Sequence, residues 1–165
     1  MVYTMVNLVI MRHGEAEPQN SQDSQRQLTA KGRADVTQMA CWLSQHYQQV
    51  DVVLSSPFVR TRQTAELMLA QQAAATQFEI LPELVPEGDC QQVQLYVDAL
   101  LALKPETRLL LVSHMPLVSF LVETFTKSGC TPIFETSGLV CIQYLPGEAG
   151  MFLERIAPGD LALIP

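Results

Sequence analysis

Three short apolar runs each break off into residues that can handle an anion. Met5 to Met11 ends at Arg12, His13 and Gly14; Val50 to Leu54 ends at Ser55, Ser56, Pro57 and, a few residues on, Arg60; Arg108 to Val112 ends at Ser113 and His114. In an open α/β sheet the carboxyl ends of parallel strands share one edge, where ligands bind at a switch in strand order. The three clusters can therefore meet. Two arginines and two histidines in one crevice would repel one another unless an anion sat between them. The planar fork of arginine suits phosphate, and a helix starting near Phe58 or Pro116 would add backbone N–H donors. One imidazole can then act as nucleophile and the other as hydrogen-bond donor to the equatorial oxygens.

The elements that must position these residues are legible from periodicity. The three runs are rich in Val, Ile and Leu without alternation, the pattern of strands buried on both faces. Gly14 to Gln27 is polar and reads as a long loop over the end of the first strand. Thr29 then suits an N-cap, with Val36, Met39, Ala40, Leu43 and Tyr47 on one helical face. Phe58 to about Ala75 has helix-forming composition, with Ala65, Met68 and Leu69 inward. Leu81 to Asp89, with two prolines and a glycine, reads as a loop. Gln91 to Leu103 predicts a helix burying Val93, Tyr96, Val97, Leu100 and Leu101, and Pro116 opens another with Leu117, Leu121, Val122 and Phe125 inside. Leu139 to Leu145 and Met151 to Ile156 read as a hairpin around Pro146 to Gly150. Strands alternating with helices imply a three-layer α/β/α fold whose central sheet is mostly parallel, made mixed by the last hairpin.

Composition narrows the class. At 165 residues, 48% hydrophobic and 16% charged, the chain has the apolar content of one globular domain spanning 1–165, and disorder is excluded. A net charge of -7 argues against a nucleic-acid partner, which needs a surplus of Lys and Arg. The cysteines at 41, 90, 130 and 141 lack metal-ligand spacing, so zinc is not expected, and with arginines to supply the positive charge that Mg²⁺ supplies elsewhere no other metal or organic cofactor is expected either. No apolar run reaches the length of about 18 residues that a membrane span needs, and Met1 to Met11 has neither a basic start nor a cleavage site. A cytoplasmic, reducing setting and a monomer are the expectations.

Beyond these clusters, MRHGEAE at 11 to 17, QLTAKG at 27 to 32, SSPFVRTRQTAE at 55 to 66, LPELVPEGD at 81 to 89, LVSHMPLV at 111 to 118 and TSG at 136 to 138 appear in order. In this ordered set the chain resembles the histidine phosphatase superfamily, whose relatives include phosphoglycerate mutases and acid phosphatases and carry an RHG motif. The resemblance implies a phosphoglycerate mutase-like fold and assigns His13 as the phosphorylated nucleophile. Arg12 and Arg60 bind the phosphoryl group by the same resemblance, and His114 completes the pocket.

The proton donor is less defined. In the acid phosphatase branch an Asp follows the second histidine, whereas here Met115 stands in that place. Mutase-like relatives use a Glu in a Leu-x-Glu loop that Leu81, Pro82 and Glu83 resemble. Glu83 is therefore the candidate donor, against the reading of a loop carboxylate that meets only solvent. Glu15 is read as structuring the loop, Arg62 as a surface charge, and Arg26 as a solvated charge in preference to one that reaches an anionic substrate; Trp42 and the methionines are read as packing residues, and His46 has no assigned role.

Only about twenty residues separate Arg60 from Glu83, too few for a helical cap over the site. An uncovered site admits a side chain presented on a folded partner. Phosphohistidine leaves as imidazole and so demands little from an acid. The expected activity is hydrolysis of phosphohistidine on a signalling protein, such as a histidine phosphotransfer domain, through a phosphohistidine on the enzyme. The alternatives are a phosphomonoesterase for a small metabolite and a phosphoprotein-binding module without turnover. His13 counts against the last, since binding needs cations but no nucleophile.

Overall fold

Residues 5–19 and 22–162 are described by a computed structural model, in which six strands form one mixed sheet in the order β3-β2-β4-β1-β5-β6. These are β1 (Leu8–Arg12), β2 (Val52–Ser55), β3 (Gln77–Ile80), β4 (Leu109–Ser113), β5 (Leu139–Gln143) and β6 (Met151–Ile156). β3, β2, β4 and β1 run parallel, while β5 and β6 add an antiparallel hairpin against β1. The chain leaves β1, passes beyond β4 to β2, moves outward to β3 and returns to β4. The carboxyl ends of β1, β4 and β2 consequently lie side by side, with Arg12 in register with Ser113 and Ser55 with Val112.

Side-chain alternation along the strands divides the core into two layers. Leu8, Ile10, Leu54, Leu109 and Leu111 face α3 (Cys90–Leu103) and α4 (Leu117–Thr126), where Val93, Val97, Leu101, Leu121 and Phe125 are buried. Val9, Met11, Val53, Leu110 and Val112 face α1 (Ala30–His46) and α2 (Val59–Leu69), against Val36, Met39, Leu43, Ala65 and Met68. Each unalternated run of the sequence is thus buried on both sides, as a parallel sheet between helices requires. Removing such a residue, Leu111→Ala for example, would cost about 2–5 kcal/mol through lost burial and a cavity. A short α5 (Pro158–Leu161) follows the hairpin.

Local signals account for most element ends. The Thr29 hydroxyl accepts from Gly32 N–H at 3.0 Å and caps α1, and Asp89 caps α3 through Gln91 and Gln92. Four expectations need correction. The second helix stops at Leu69, not near Ala75, because Gln72 and Gln49 turn their side chains onto the backbone of Val50 and Ala73 and tie the chain back to the start of β2. The freed segment then forms β3, a strand absent from the periodicity because QFEI is half polar and lies at the sheet's edge. Tyr96 is 37% exposed, not buried, with its hydroxyl donated to Glu79. The segment read as loop at 81–89 contains a 3-10 turn, Pro82–Leu84, whose Leu84 carbonyl takes the Ser113 hydroxyl at 2.6 Å. Between Arg60 and Glu83 the chain holds the rest of α2, β3 and the start of this turn.

None of the four cysteines forms a disulfide; Cys141 is in the core and Cys130 is exposed. Among the described residues no helix is long and apolar enough to cross a membrane.

Candidate active site

The loop after β1 is built around two close approaches. A Cβ on Gly14 would stand 2.8 Å from the Val36 side chain, and one on Gly32 would stand 2.1 Å from the Glu15 carbonyl oxygen. Only glycine at both places lets the loop lie against the first turn of α1. Thr29 N–H donates to the Glu15 carbonyl at 3.0 Å, the Thr29 hydroxyl donates to the Glu15 carboxylate at 2.6 Å, and Gly14 N–H donates to the Thr64 hydroxyl at 3.0 Å. Glu15 therefore structures the loop, and the RHG and TAKG segments are two halves of one support.

On that support His13 is 8% exposed. Its Nδ1 lies 2.7 Å from the Gly14 carbonyl, an arrangement that places the ring hydrogen on Nδ1. Nε2 is left with its lone pair, 3.3 Å from the Nε–H of Arg60. Burial, with help from the charges of Arg60, Arg12 and Arg26 and against the Gly14 hydrogen bond, pushes the His13 pKa down to about 4. The imidazole is neutral at pH 7 and its free nitrogen is nucleophilic.

Arg60, in the first turn of α2, is almost fully buried. Its Nη1 donates to the Asp23 carbonyl at 2.8 Å and its Nη2 to the Asp23 carboxylate at 3.1 Å, while its guanidinium lies 5.0 Å from the centre of the Phe58 ring. Arg12 donates from Nη1 to the Phe134 carbonyl at 2.7 Å. Burial lowers the pKa of both guanidinium groups, which nonetheless stay charged. His114, at the end of β4, is 1% exposed and pairs through Nε2 with the Ser56 hydroxyl at 2.8 Å. Its ring meets that of His13 edge-on, with centroids 5.2 Å apart. Burial, then the neighbouring His13 and three arginines, push its pKa down to about 2.

Arg12, His13 and His114, from the ends of β1 and β4, and Arg60, from the helix that follows β2, thus share one crevice of about 350 Å³. Glu15, Gln19, Asp23, Arg26, Pro86, Met115 and Thr136 complete its walls. Among the described residues the buried side-chain polar atoms without a partner are Arg12 Nε, His114 Nδ1 and Ser137 Oγ. All three belong to this neighbourhood, since Ser137 N–H donates to the His13 carbonyl at 2.9 Å. Buried polar atoms are ordinarily paired, and two of those left over, Arg12 Nε and His114 Nδ1, belong to residues that line the crevice, where an anion's oxygens would satisfy them; Ser137 is not one of its walls. A larger hollow of about 420 Å³ against β5 and β6 holds Glu135, Arg155 and Asp160 but no histidine, serine or cysteine and a single arginine, so size alone does not mark the site.

Glu83 is not among the residues lining the crevice. It sits half-buried in the 3-10 turn, and its charge is felt by Tyr96, beside Glu79. Its loop reaches the crevice through Pro86 instead. Conversely, Arg26 is a wall of the crevice and not a solvated charge: it donates from Nε to Asp23 at 2.7 Å and from Nη1 to the Glu17 carbonyl at 2.7 Å. Asp23 itself was not singled out by sequence. Burial works to raise its carboxyl pKa, but the Arg26 hydrogen bond and the Arg60 charge outweigh it and hold the group ionised. The only signal for this pair was their three-residue spacing, which is common on solvated turns. Among the described residues no group of three His, Cys, Asp or Glu is placed to hold a metal ion.

A mixed α/β/α sheet with an RHG loop at its switch point is the phosphoglycerate mutase-like fold. Residues 8–86 match the histidine phosphatase superfamily (branch 1), and the chain belongs to that superfamily and is a phosphatase. It is 34% identical over 158 residues to the phosphohistidine phosphatase SixA of Escherichia coli (strain K12), covering 96% of this chain and 98% of that one. It is 36% identical over 128 residues to a SixA homolog of Haemophilus influenzae, covering 71% and 75%. A solved structure of the protein histidine phosphatase SixA complexed with tungstate superposes with a TM-score of 0.88 at 34% identity, covering 93% of this chain and 98% of that one.

Proposed function

We propose that the chain hydrolyses phosphohistidine on a signalling protein, of the histidine phosphotransfer type, in two metal-independent steps through a phosphorylated His13. The observation that carries this reading is the state of His13: neutral, with Nδ1 tied to Gly14 and the Nε2 lone pair facing the Nε–H of Arg60 on the wall of a crevice that Arg12 also lines. In the first step that lone pair forms the P–N bond. The bond from phosphorus to the substrate imidazole breaks, and its electron pair stays on the departing nitrogen. A substrate ring protonated at its other nitrogen leaves as neutral imidazole. Arg12, Arg60 and the unpartnered Nδ1 of His114 hold the equatorial oxygens. His114 donates from Nδ1 when the Ser56 hydroxyl, which already accepts from Phe58 N–H, gives its hydrogen to Nε2. The Gly14 carbonyl steadies the positive charge on the phosphorylated His13 ring. In the second step water attacks phosphorus, the bond to Nε2 breaks, its electrons return to the ring, and the water proton goes to phosphate.

A leaving group that needs no acid fits the residues at hand. The carboxylates lining the crevice are Glu15, which accepts from Thr29, and Asp23, held ionised by two arginines. Neither is poised to protonate a basic alkoxide. Names of the relatives support the same substrate class. The test is a comparison of kcat/KM on a phosphohistidine phosphotransfer domain, a small phosphoramidate and alkyl phosphates, after exhaustive chelation. Faster turnover of the protein substrate is expected. Preference for an alkyl phosphate would replace the reading by a small-metabolite phosphomonoesterase, and a need for added divalent ion would contradict the metal-free steps.

A further inference from the structure

Arg60 makes three hydrogen bonds with one geometric purpose. Nη1 and Nη2 both end on Asp23, through its carbonyl and its carboxylate, and the side of the guanidinium that remains carries Nε–H toward His13 Nε2 at 3.3 Å. The same carboxylate takes Arg26 Nε at 2.7 Å, so one acidic group holds two cations on the wall of one crevice. Asp23 belongs to the 3-10 turn Asp23–Gln25, and its side chain is one-third exposed where that of Arg60 is not. It is thus the outer member of a clamp whose inner member reaches the nucleophile.

The hydrogen bond from Arg60 to His13 cannot survive the reaction. Nε2 has one lone pair, and forming the P–N bond consumes it. Nε–H must then find another acceptor, and the phosphoryl oxygen arriving with phosphorus is the nearest new one. For that transfer the guanidinium has to stay where it is while its acceptor changes. We propose that Asp23 is the positioning residue for this exchange: it pins the distal nitrogens of Arg60 so that Nε–H passes from His13 Nε2 to a phosphoryl oxygen as the bond forms, and it offsets the charge of Arg26 and Arg60 so that product phosphate is released.

The charges support the second role. The crevice is lined by Arg12, Arg26 and Arg60 against Glu15 and Asp23, and both histidines are neutral. Loss of the Asp23 charge leaves a more positive site for a phosphate dianion. Phosphate binding and turnover should therefore move in opposite directions, which distinguishes positioning from simple support of the fold.

The proposal rests on His13 being the nucleophile, and its test is chosen to be independent of which phosphorylated molecule is the natural substrate. Asp23→Asn keeps the size of the side chain and removes its charge. With an aryl phosphate and a small phosphoramidate as probes, kcat should fall by about tenfold or more, as expected when a preorganised donor loses its alignment. The inhibition constant for inorganic phosphate should fall about three- to tenfold, since the crevice has lost a repelling charge. Asp23→Glu, which restores the charge with altered reach, should bring phosphate inhibition back toward the parent and recover part of kcat. Binding of inorganic phosphate to His13→Ala with and without Asp23→Asn gives the same comparison free of turnover, and the double variant should bind more tightly. Unchanged kcat in Asp23→Asn would overturn the proposal, as would weaker phosphate binding in parallel with lost activity. A preference of the parent enzyme for alkyl phosphates would overturn the substrate assignment while leaving the Asp23 comparison intact.

Discussion

Arg60 Nε and His13 Nε2 face each other at 3.3 Å, the guanidinium of the first turn of α2 donating to the lone pair of the residue after β1. This pairing keeps a cation against a histidine without protonating it. On the proposed mechanism, the group that would receive the phosphoryl oxygens faces the atom that would attack.

If Nε2 is the attacking atom, His13→Ala should abolish hydrolysis while phosphate still binds, because Arg12, Arg60 and His114 remain. In the parent enzyme rapid quenching should trap a phosphoryl group that is labile to acid and stable to alkali. Substantial residual activity in the alanine variant would move the nucleophile elsewhere.

Arg12→Ala and Arg60→Ala should each lower kcat/KM by about 10² to 10³, the effect of losing a preorganised oxyanion donor. Arg60→Lys keeps charge but gathers its donors on one nitrogen in place of the planar fork that spans Asp23 and His13, so a clear deficit should remain. Wild-type kinetics in the lysine variant would reduce Arg60 to a general source of charge.

The depressed histidines predict the pH behaviour. His13 titrates near 4 in the folded protein against an ordinary 6.5, so the imidazole stays nucleophilic well into acid and the acid limb of kcat/KM in the free enzyme should lie near 4 and not near 6.5. For stability the sign is fixed by linkage: the unfolded chain binds these protons more readily. Stability is full above about pH 6.5 and is lost as pH falls toward 4, with His114 acting in the same sense to lower pH still. Each histidine contributes a slope of up to about 1.4 kcal/mol per pH unit in that window. Denaturant melts between pH 7 and 4.5 should show the loss, and His114→Gln should flatten it.

Glu83 lies outside the crevice walls, and its replacement should show it. Glu83→Gln should leave kcat within about twofold on phosphohistidine and aryl phosphate, whereas a true general acid would cost about 10² to 10⁴ on an alkyl phosphate. A large selective loss on the alkyl substrate would restore Glu83 as the donor.

Gly32→Ala asks how strictly α1 supports His13. The new Cβ would stand 2.1 Å from the Glu15 carbonyl, so the loop and the helix must separate. A displacement of about 1 Å at His13 would lower kcat by about 10², alongside a lower Tm. A variant that melts lower but keeps full kcat would show that the loop relaxes without moving His13.

How much of this was legible beforehand follows from the range of each interaction. The strands β1, β2 and β4 are readable because burial on both faces leaves an unbroken apolar run, and α1 because Thr29 and the apolar face are local. Arg12, His13, Arg60 and His114 could be named because the ends of parallel strands meet by topology, whatever the side chains do. β3 could not: its four residues carry no pattern of their own and become a strand only by pairing with Val52 to Ser55. The same holds at the site. Asp23 and Arg26 look like charges on a polar loop until the fold brings Arg60, thirty-seven residues beyond Asp23, against them. Glu83 fitted a local motif, yet the crevice is walled by Pro86 and not by it. Sequence by itself determined the apolar runs, the caps and the residues at the strand ends, since each rests on spacing along the chain. Only the tertiary structure decided which charges meet, how deeply the histidines are buried and which nitrogen of His13 is free, because those depend on neighbours far away in sequence and on the water they exclude.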